Sequence, residues 1–415
     1  MRGINKKNGE LYLDDIPLSD LAISFGTPSY AYSASLIQKN FLDYKDSLRT
    51  GDKVCFAVKS NSNINILKLL DAMGSGFDVV SGNELKRCLM AGADPKKIVF
   101  SGVGKTKEEI KLALKKNIFS INIESESELE RIIQIAEETS QEVNCAIRVN
   151  PDISAESHPH ITTGLKSSKF GVTSQVALMM SKRIQGIKTI NLIGLACHIG
   201  SQITKPELIL DSLEHLLSLA EEINKESKNI SFLDIGGGLD ITYKDEESAN
   251  VKEIMNRVLD RIKNLDFDLV VEPGRSIVGN AGVLLTQVEY IKATETSNFA
   301  IVDAGMNDLM RPSLYSAWHE VSVVKDLKTT EKNYEIVGPV CESTDSLAKD
   351  RMLKIKEGSI IAIHDVGAYG NVMASNYNTR LRPPEIMVDG SDVRVIKRRE
   401  SFEELMFLEN IEDEN

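Results

Sequence analysis

Lys59 closes an apolar run, VCFAVK (Val54 to Lys59). An amine held at the end of such a run can be desolvated, which lowers its pKa and frees it to attack a carbonyl. A lysine that simply flanks a strand and reaches water has the same local sequence. Other apolar runs end with a similar double meaning. His198, in LIGLACHIG (Leu192 to Gly200), is either a core histidine or an aromatic face for a flat ligand. No second ligand-type residue stands at metal spacing from it, so a zinc site is not expected. FLDIGGG (Phe232 to Gly238) ends in Gly236, Gly237 and Gly238, which make either a tight turn or a row of open N–H groups for a phosphate. The run is not a GxGxxG opening a helix and lies far from the first βα unit, which discounts a dinucleotide site.

LVVEPG (Leu269 to Gly274) places Glu272 after three apolar residues, followed by Pro273, Gly274 and Arg275. A buried acid there is costly unless paired. Arg275 is one available partner. The sharper reading has Glu272 facing a protonated ring nitrogen while Arg275 grips a carboxylate. Arg148 and Asn150 also lie near the end of a run, CAIRVNP. A lysine, a glycine loop, an aromatic ring and an acid together describe a site for pyridoxal 5'-phosphate.

Three later clusters also read as turn chemistry when taken singly: Arg311 and Tyr315 in DAGMNDLMRPSLY, Cys341 and Glu342 in VGPVCESTD, and Tyr369 between Gly367 and Gly370 in HDVGAYG. A cysteine beside acidic neighbours suits a proton donor better than a thiolate nucleophile. His158 and His160 form an HxH pair in a long loop and are expected to be exposed there.

The elements that must position these residues alternate short apolar runs with helical periodicity. Eight strands are expected: the five runs just named together with FDVVS (Phe77 to Ser81), IVFSG (Ile98 to Gly102) and FSINIES (Phe119 to Ser125). Between them, Asn63 caps a helix over Ile64 to Met73. Thr106 with Glu109, and Ser125 with Glu128, fit capping boxes for two more. Eight such units match a (β/α)8 barrel of roughly 250 residues, whose active site forms at the C-terminal ends of the strands, where the residues above collect. A doubly wound open sheet is the rival.

After Gly279 the rhythm turns to long β-rich runs, GVLLTQVEYIKA through VRVIKR, which predict an all-β sandwich or barrel domain. The expected division is residues 1–33 as an N-terminal segment, 34–280 as the barrel and 281–415 as the β domain. The two strand-like pieces of the segment, Glu10 to Leu13 and Ser29 to Tyr32, are expected to pair with the β domain. A last helical run, Phe402 to Leu408, leads into an acidic tail.

Composition bounds the partners. The 415 residues carry 49 Lys+Arg against 61 Asp+Glu, a net charge of −12, with 42% hydrophobic and 27% charged residues. Those fractions exclude disordered and fibrous classes, and the negative balance argues against nucleic-acid binding. No apolar run reaches a membrane span and the start has no signal-like apolar stretch, so a cytoplasmic protein without a membrane partner is expected. Five cysteines without CxxC spacing predict neither a disulfide framework nor a structural metal.

With these motifs in view, the sequence resembles the diaminopimelate decarboxylases, alanine-racemase-like (fold type III) enzymes that use pyridoxal phosphate. The likeness runs from FGTPSYAYS to YNTRLRPPEIMV and is most specific in HPHITTG, DAGMNDLMRPSLY, GPVCESTD and GAYGNVMASNYNTR. It implies decarboxylation of meso-2,6-diaminopimelate to L-lysine and CO2, with Lys59 holding the cofactor and His198 stacking on it. Gly237, Gly238 and the turn Glu272, Pro273, Gly274, Arg275 would bind the cofactor, with Glu272 at the pyridine nitrogen. Arg275, Arg311 and Tyr315 would bind the distal carboxylate and Glu342 the distal ammonium. Tyr369 would contact phosphate and substrate, and Cys341 would be the proton donor. The resemblance also implies a homodimer in which the Cys341 loop completes the partner subunit's site. Relatives acting on ornithine, lysine or arginine usually carry aspartate after the cysteine, where this chain has Glu342. A cofactor-free aldolase-type barrel would leave the glycine loop unexplained, and a non-catalytic homologue would be expected to lose Lys59 or Cys341. Ser60 stands where alanine is common.

Overall fold

In the computed structural model, residues 3–151, 169–226 and 230–409 are described. They form two compact units. One comprises the described residues of 38–242 and 247–277, the other those of 1–37, 243–246 and 278–415.

The first unit is a closed barrel of eight parallel strands. In chain order the strands are Lys53–Ala57, Gly76–Val79, Ile98–Phe100, Ser120–Ile123, Val143–Arg148, Ile190–Ala196, Phe232–Asp234 and Asp268–Val271. Closure joins the eighth strand to the first, with Val270 opposite Lys53 and Val271 opposite Val54. Cys55, Val99, Ala146, Phe232 and Val270 form an apolar cluster contributed by five of the strands. Gly194 belongs to this packing, because a Cβ there would run into the Phe232 ring. Every strand ends earlier than its apolar run. The residues beyond each end are therefore loop residues, and Lys59 lies in a single 3-10 turn, Val58–Ser60.

Helix starts follow local capping. Asn63 accepts from the Asn65 N–H, and Thr106 with Glu109 forms the complete box. Ser125 caps its helix through the Glu128 N–H, but the reciprocal half of the expected box is missing. The Glu128 carboxylate instead accepts from the Glu124 N–H at 2.7 Å and from buried Lys105 Nζ at 2.9 Å. A buried ammonium needs an anionic partner, and that need overrides the local motif.

The second unit is built on a nine-stranded mixed sheet. Strand Gly282–Ala293, read from sequence with these bounds, is central to it. The N-terminal strand Ser29–Ser33 pairs with that strand on one side and with Glu385–Asp389 on the other. Glu10–Leu13 instead pairs within a separate three-stranded sheet and meets the β domain at an isolated bridge, Glu10 opposite Lys325. Its Leu11 and Leu13 still pack with Val283, Leu285, Ile386 and Val388 in one core. Of the nine strands in the mixed sheet, two escaped the sequence reading, Ser346–Leu353 and Glu385–Asp389. The first has a broken alternation of buried and exposed residues and pairs through register shifts. The second follows a pair of prolines. Among its described residues the β-rich half also contains two short α-helices, Arg311–Tyr315 and Phe402–Met406, the second within the run Phe402 to Leu408 expected to be helical.

Candidate active site

At the C-terminal end of the barrel, the turn after the first strand directs Lys59 Nζ to within 3.2 Å of Asp78 Oδ2. The lysine side chain is 34% exposed and the aspartate fully buried. Asp78 sits inside the second strand, and its other oxygen, Oδ1, is buried without a hydrogen-bond partner. Ser60, beside the lysine, is also buried, and its hydroxyl donates to Ala57 O at 2.7 Å. The departure from alanine at this position therefore costs no unsatisfied group.

The turns after the seventh and eighth strands are knitted together. The Glu272 N–H donates to Gly236 O at 2.7 Å, and the Ala57 N–H from the first strand donates to Pro273 O at 3.0 Å. This close approach requires the glycines. A Cβ on Gly237 would strike the Glu272 carbonyl, and one on Gly238, whose φ is +97°, would strike Gly200 O. A Cβ on Gly274 would sit 2.9 Å from Ser60 Oγ. His198, two residues beyond the sixth strand, accepts from the Gly237 N–H through Nδ1 at 3.2 Å. Burial, then the charges of Lys59 and Arg148, push its pKa well below the usual value, so the ring is neutral with its proton on Nε2. Arg275 Nη2 donates to Ser201 Oγ at 3.1 Å.

Beneath this rim lies a buried polar circuit. Ser101 Oγ donates to Glu272 Oε1 at 3.4 Å and accepts from Asn122 Nδ2 at 3.2 Å; Asn122 Nδ2 also reaches Asp234 Oδ2 at 3.3 Å. Asp234 Oδ1 accepts from the Gly236 N–H at 2.8 Å, and a shared hydrogen bond between the two carboxyls closes the circuit. Burial, followed by the charges of Asp234 and Asp78, raises the Glu272 pKa well above the carboxylate range. Burial brings Asp234 up to about 6. Arg148, at the end of the fifth strand, pairs with Glu124 at 2.8 Å. Three buried acids near one lysine form a site that a cationic ring would complete. The orphaned Asp78 oxygen and the glycine-lined turns likewise fit a ring-bearing phosphate cofactor.

Lys59, His198, Gly237, Gly238, Glu272, Pro273, Gly274 and Arg275 thus belong to the loops at one end of the barrel. Asp78, Asp234, Ser101 and Asn122 join them without having been singled out from sequence. Their signal was a polar residue inside an otherwise apolar strand run, as in FDVVS and FLDIGGG.

The remaining candidates lie in the sheet unit. Arg311 is buried, with Nη1 2.9 Å from His319 Nε2, and Tyr315 ends the same short helix half-buried. Cys341 is exposed, whereas the four other cysteines are buried. Its N–H donates to Asn378 Oδ1 at 2.8 Å. The neighbouring Glu342 is exposed and accepts from the Ser343 N–H at 2.8 Å. Tyr369 holds a left-handed φ of +57°, unusual for an aromatic residue. Among the described residues no group of His, Cys, Asp and Glu could hold a metal ion, and no helix is long and apolar enough to cross a membrane. HPHITTG, with His158 and His160, lies outside the described residues.

Residues 34–279 match the family described as "Pyridoxal-dependent decarboxylase, pyridoxal binding domain". The diaminopimelate decarboxylase of Pseudomonas aeruginosa is 46% identical over 400 residues, covering 96% of both chains. The crystal structure of the Helicobacter pylori diaminopimelate decarboxylase complexed with L-lysine is 41% identical, with a TM-score of 0.91, and covers 94% of this chain and 99% of that one. The M. jannaschii diaminopimelate decarboxylase in co-complex with L-lysine is 36% identical, with a TM-score of 0.93 and 99% coverage of both. Full-length likeness of this order, on a barrel whose rim carries the lysine, the glycine turns and the buried acids, places the chain in the pyridoxal-dependent decarboxylases, as a member of the diaminopimelate decarboxylase family.

Proposed function

We propose that this chain decarboxylates meso-2,6-diaminopimelate to L-lysine and CO2 with pyridoxal 5'-phosphate as cofactor. The observation that carries the reading is Lys59 beside buried Asp78 at the C-terminal end of the closed barrel, next to glycine turns that no larger residue could form. The chemistry such a cofactor supplies when bound is an electron sink for the pair left behind as CO2 departs.

The chain's own residues do the rest. Lys59 carries the amine that holds the cofactor, and Asp78 orients that amine. Gly237, Gly238, Gly274 and Tyr369 bind the phosphate end, and the neutral imidazole of His198 offers a flat face. Glu272 partners the ring nitrogen, and its hydrogen bond to Asp234 lets the two carboxyls retain one proton between them. Cys341 Sγ delivers a proton to the carbon that loses CO2, consistent with its exposure. At the far end of the substrate, Arg275, Arg311 and Tyr315 bind the carboxylate, Tyr369 adds a contact and Glu342 accepts the ammonium. A site built to pair both distal charges rejects substrates that leave one of its groups unpaired. We place the complete site in a homodimer, with the Cys341 loop serving the partner subunit.

The test is CO2 release from meso-diaminopimelate, ornithine, arginine and lysine in parallel. Release from meso-diaminopimelate alone is expected. Release from one of the other three would keep the cofactor site and overturn the substrate, and no release from any would overturn the function.

A further inference from the structure

Arg311 opens the short helix Arg311–Tyr315 and is 6% exposed. A guanidinium donates through five N–H groups and accepts through none, so the acceptors around it decide which way it faces. One acceptor here is His319, which is fully buried. Arg311 Nη1 lies 2.9 Å from His319 Nε2, and His319 Nδ1 lies 2.8 Å from the main-chain oxygen of His364. Because a guanidinium cannot accept, Nε2 must. Because a carbonyl cannot donate, the ring proton must sit on Nδ1. The imidazole is therefore neutral in a single tautomer, and turning the ring over would break both bonds. Tyr243 braces the pair. Its ring stands perpendicular to the imidazole, with centroids 5.3 Å apart, and its face lies 4.8 Å from Arg311 Cζ. The backbone of His319 is held as well, since Arg351 Nη2 donates to its carbonyl oxygen at 2.8 Å.

We propose that His319 is a positioning residue for substrate specificity, fixing the Arg311 guanidinium through Nε2 in the orientation that meets the distal carboxylate of the substrate. This rests on the assignment of Arg311 to that carboxylate. The choice of acceptor has a chemical reason. A carboxylate in place of the imidazole would orient the guanidinium equally well but would cancel its charge and compete with the substrate's own carboxylate. A neutral imidazole orients the guanidinium and brings no negative charge of its own. His319 touches neither substrate nor cofactor in this scheme, so its loss acts on substrate binding and spares the chemical step.

The experiment is steady-state kinetics on cofactor-loaded enzyme with meso-diaminopimelate, the visible absorbance certifying each variant as loaded. His319→Leu keeps bulk but removes both ring nitrogens; KM is expected to rise about tenfold, the worth of one charge-assisted hydrogen bond, with kcat within about twofold of the parent. His319→Gln, whose amide oxygen can still accept from Arg311, is expected to bring KM back to within about threefold. Should the leucine variant fail to load, His319→Asn, too short to reach Arg311, takes its place with the same expectation. An unchanged KM, a loss confined to kcat, or a glutamine variant as impaired as the leucine one would overturn the proposal. Arg311→Ala separates the two levels: an unchanged KM there overturns the carboxylate assignment itself, whereas a raised KM in Arg311→Ala with none in His319→Leu overturns only the role of His319.

Discussion

At the scale of single residues, Cys341 and Lys59 are proposed to divide the work. Burial pushes the thiols of Cys145 and Cys197 up to about 12, so neither can exchange a proton readily near neutral pH. Cys341 alone among the five is exposed. Replacing Cys341 by alanine should therefore leave the visible absorption of the bound cofactor intact while slowing turnover by about 10² to 10⁴, the usual worth of a positioned proton donor. Turnover near the parent's with the absorption intact would remove that role. The sequence made this residue visible only as a member of a motif, because exposure is a tertiary property. The same holds for Asp78 and His319. Asp78 meets Lys59 across 19 positions and His319 meets Arg311 across eight, and both meetings depend on how the chain folds.

At the scale of elements, the loops after the seventh and eighth barrel strands form one structure, with the Glu272 N–H on Gly236 O and Gly237 packed against the Glu272 carbonyl. Gly238 sits within this structure at φ +97°, with Gly200 O where a Cβ would go. Substituting Gly238 by alanine should cost about 1 kcal/mol or more in strain alone. It should also weaken pyridoxal phosphate binding, since the turn must shift. Thermal unfolding and a cofactor titration of the variant test this together, and parent-like values in both would contradict it. The strands and most helix caps were legible because alternation and capping are local. The second half of the Ser125 box was not, since Lys105, 23 positions from Glu128, claims that carboxylate. Strand Ser346–Leu353 was missed for a related reason: its charged residues and register shifts hide the alternation that betrays a half-buried strand.

At the scale of the whole molecule, an acidic chain with net charge −12 is proposed to take an anionic cofactor and a substrate with two carboxylates, so the binding charges must be concentrated locally. Lys59 and Arg275 sit together on the barrel rim for that purpose. Sequence reading reached the barrel and the β-rich second half, because eight near-regular βα units and then their absence are patterns of long range. It did not anticipate that Tyr243–Glu246, midway through the loop after the seventh strand, groups with the sheet unit, where Tyr243 braces Arg311. No local pattern marks such an excursion. Lys59 is proposed as the residue on which the cofactor site converges. Borohydride reduction of the pyridoxal phosphate-loaded protein, followed by proteolysis and peptide mass mapping, tests it most directly. A reduced cofactor on the peptide containing Lys59 is the predicted result, and a reduced cofactor on another lysine, or on none, would contradict the account.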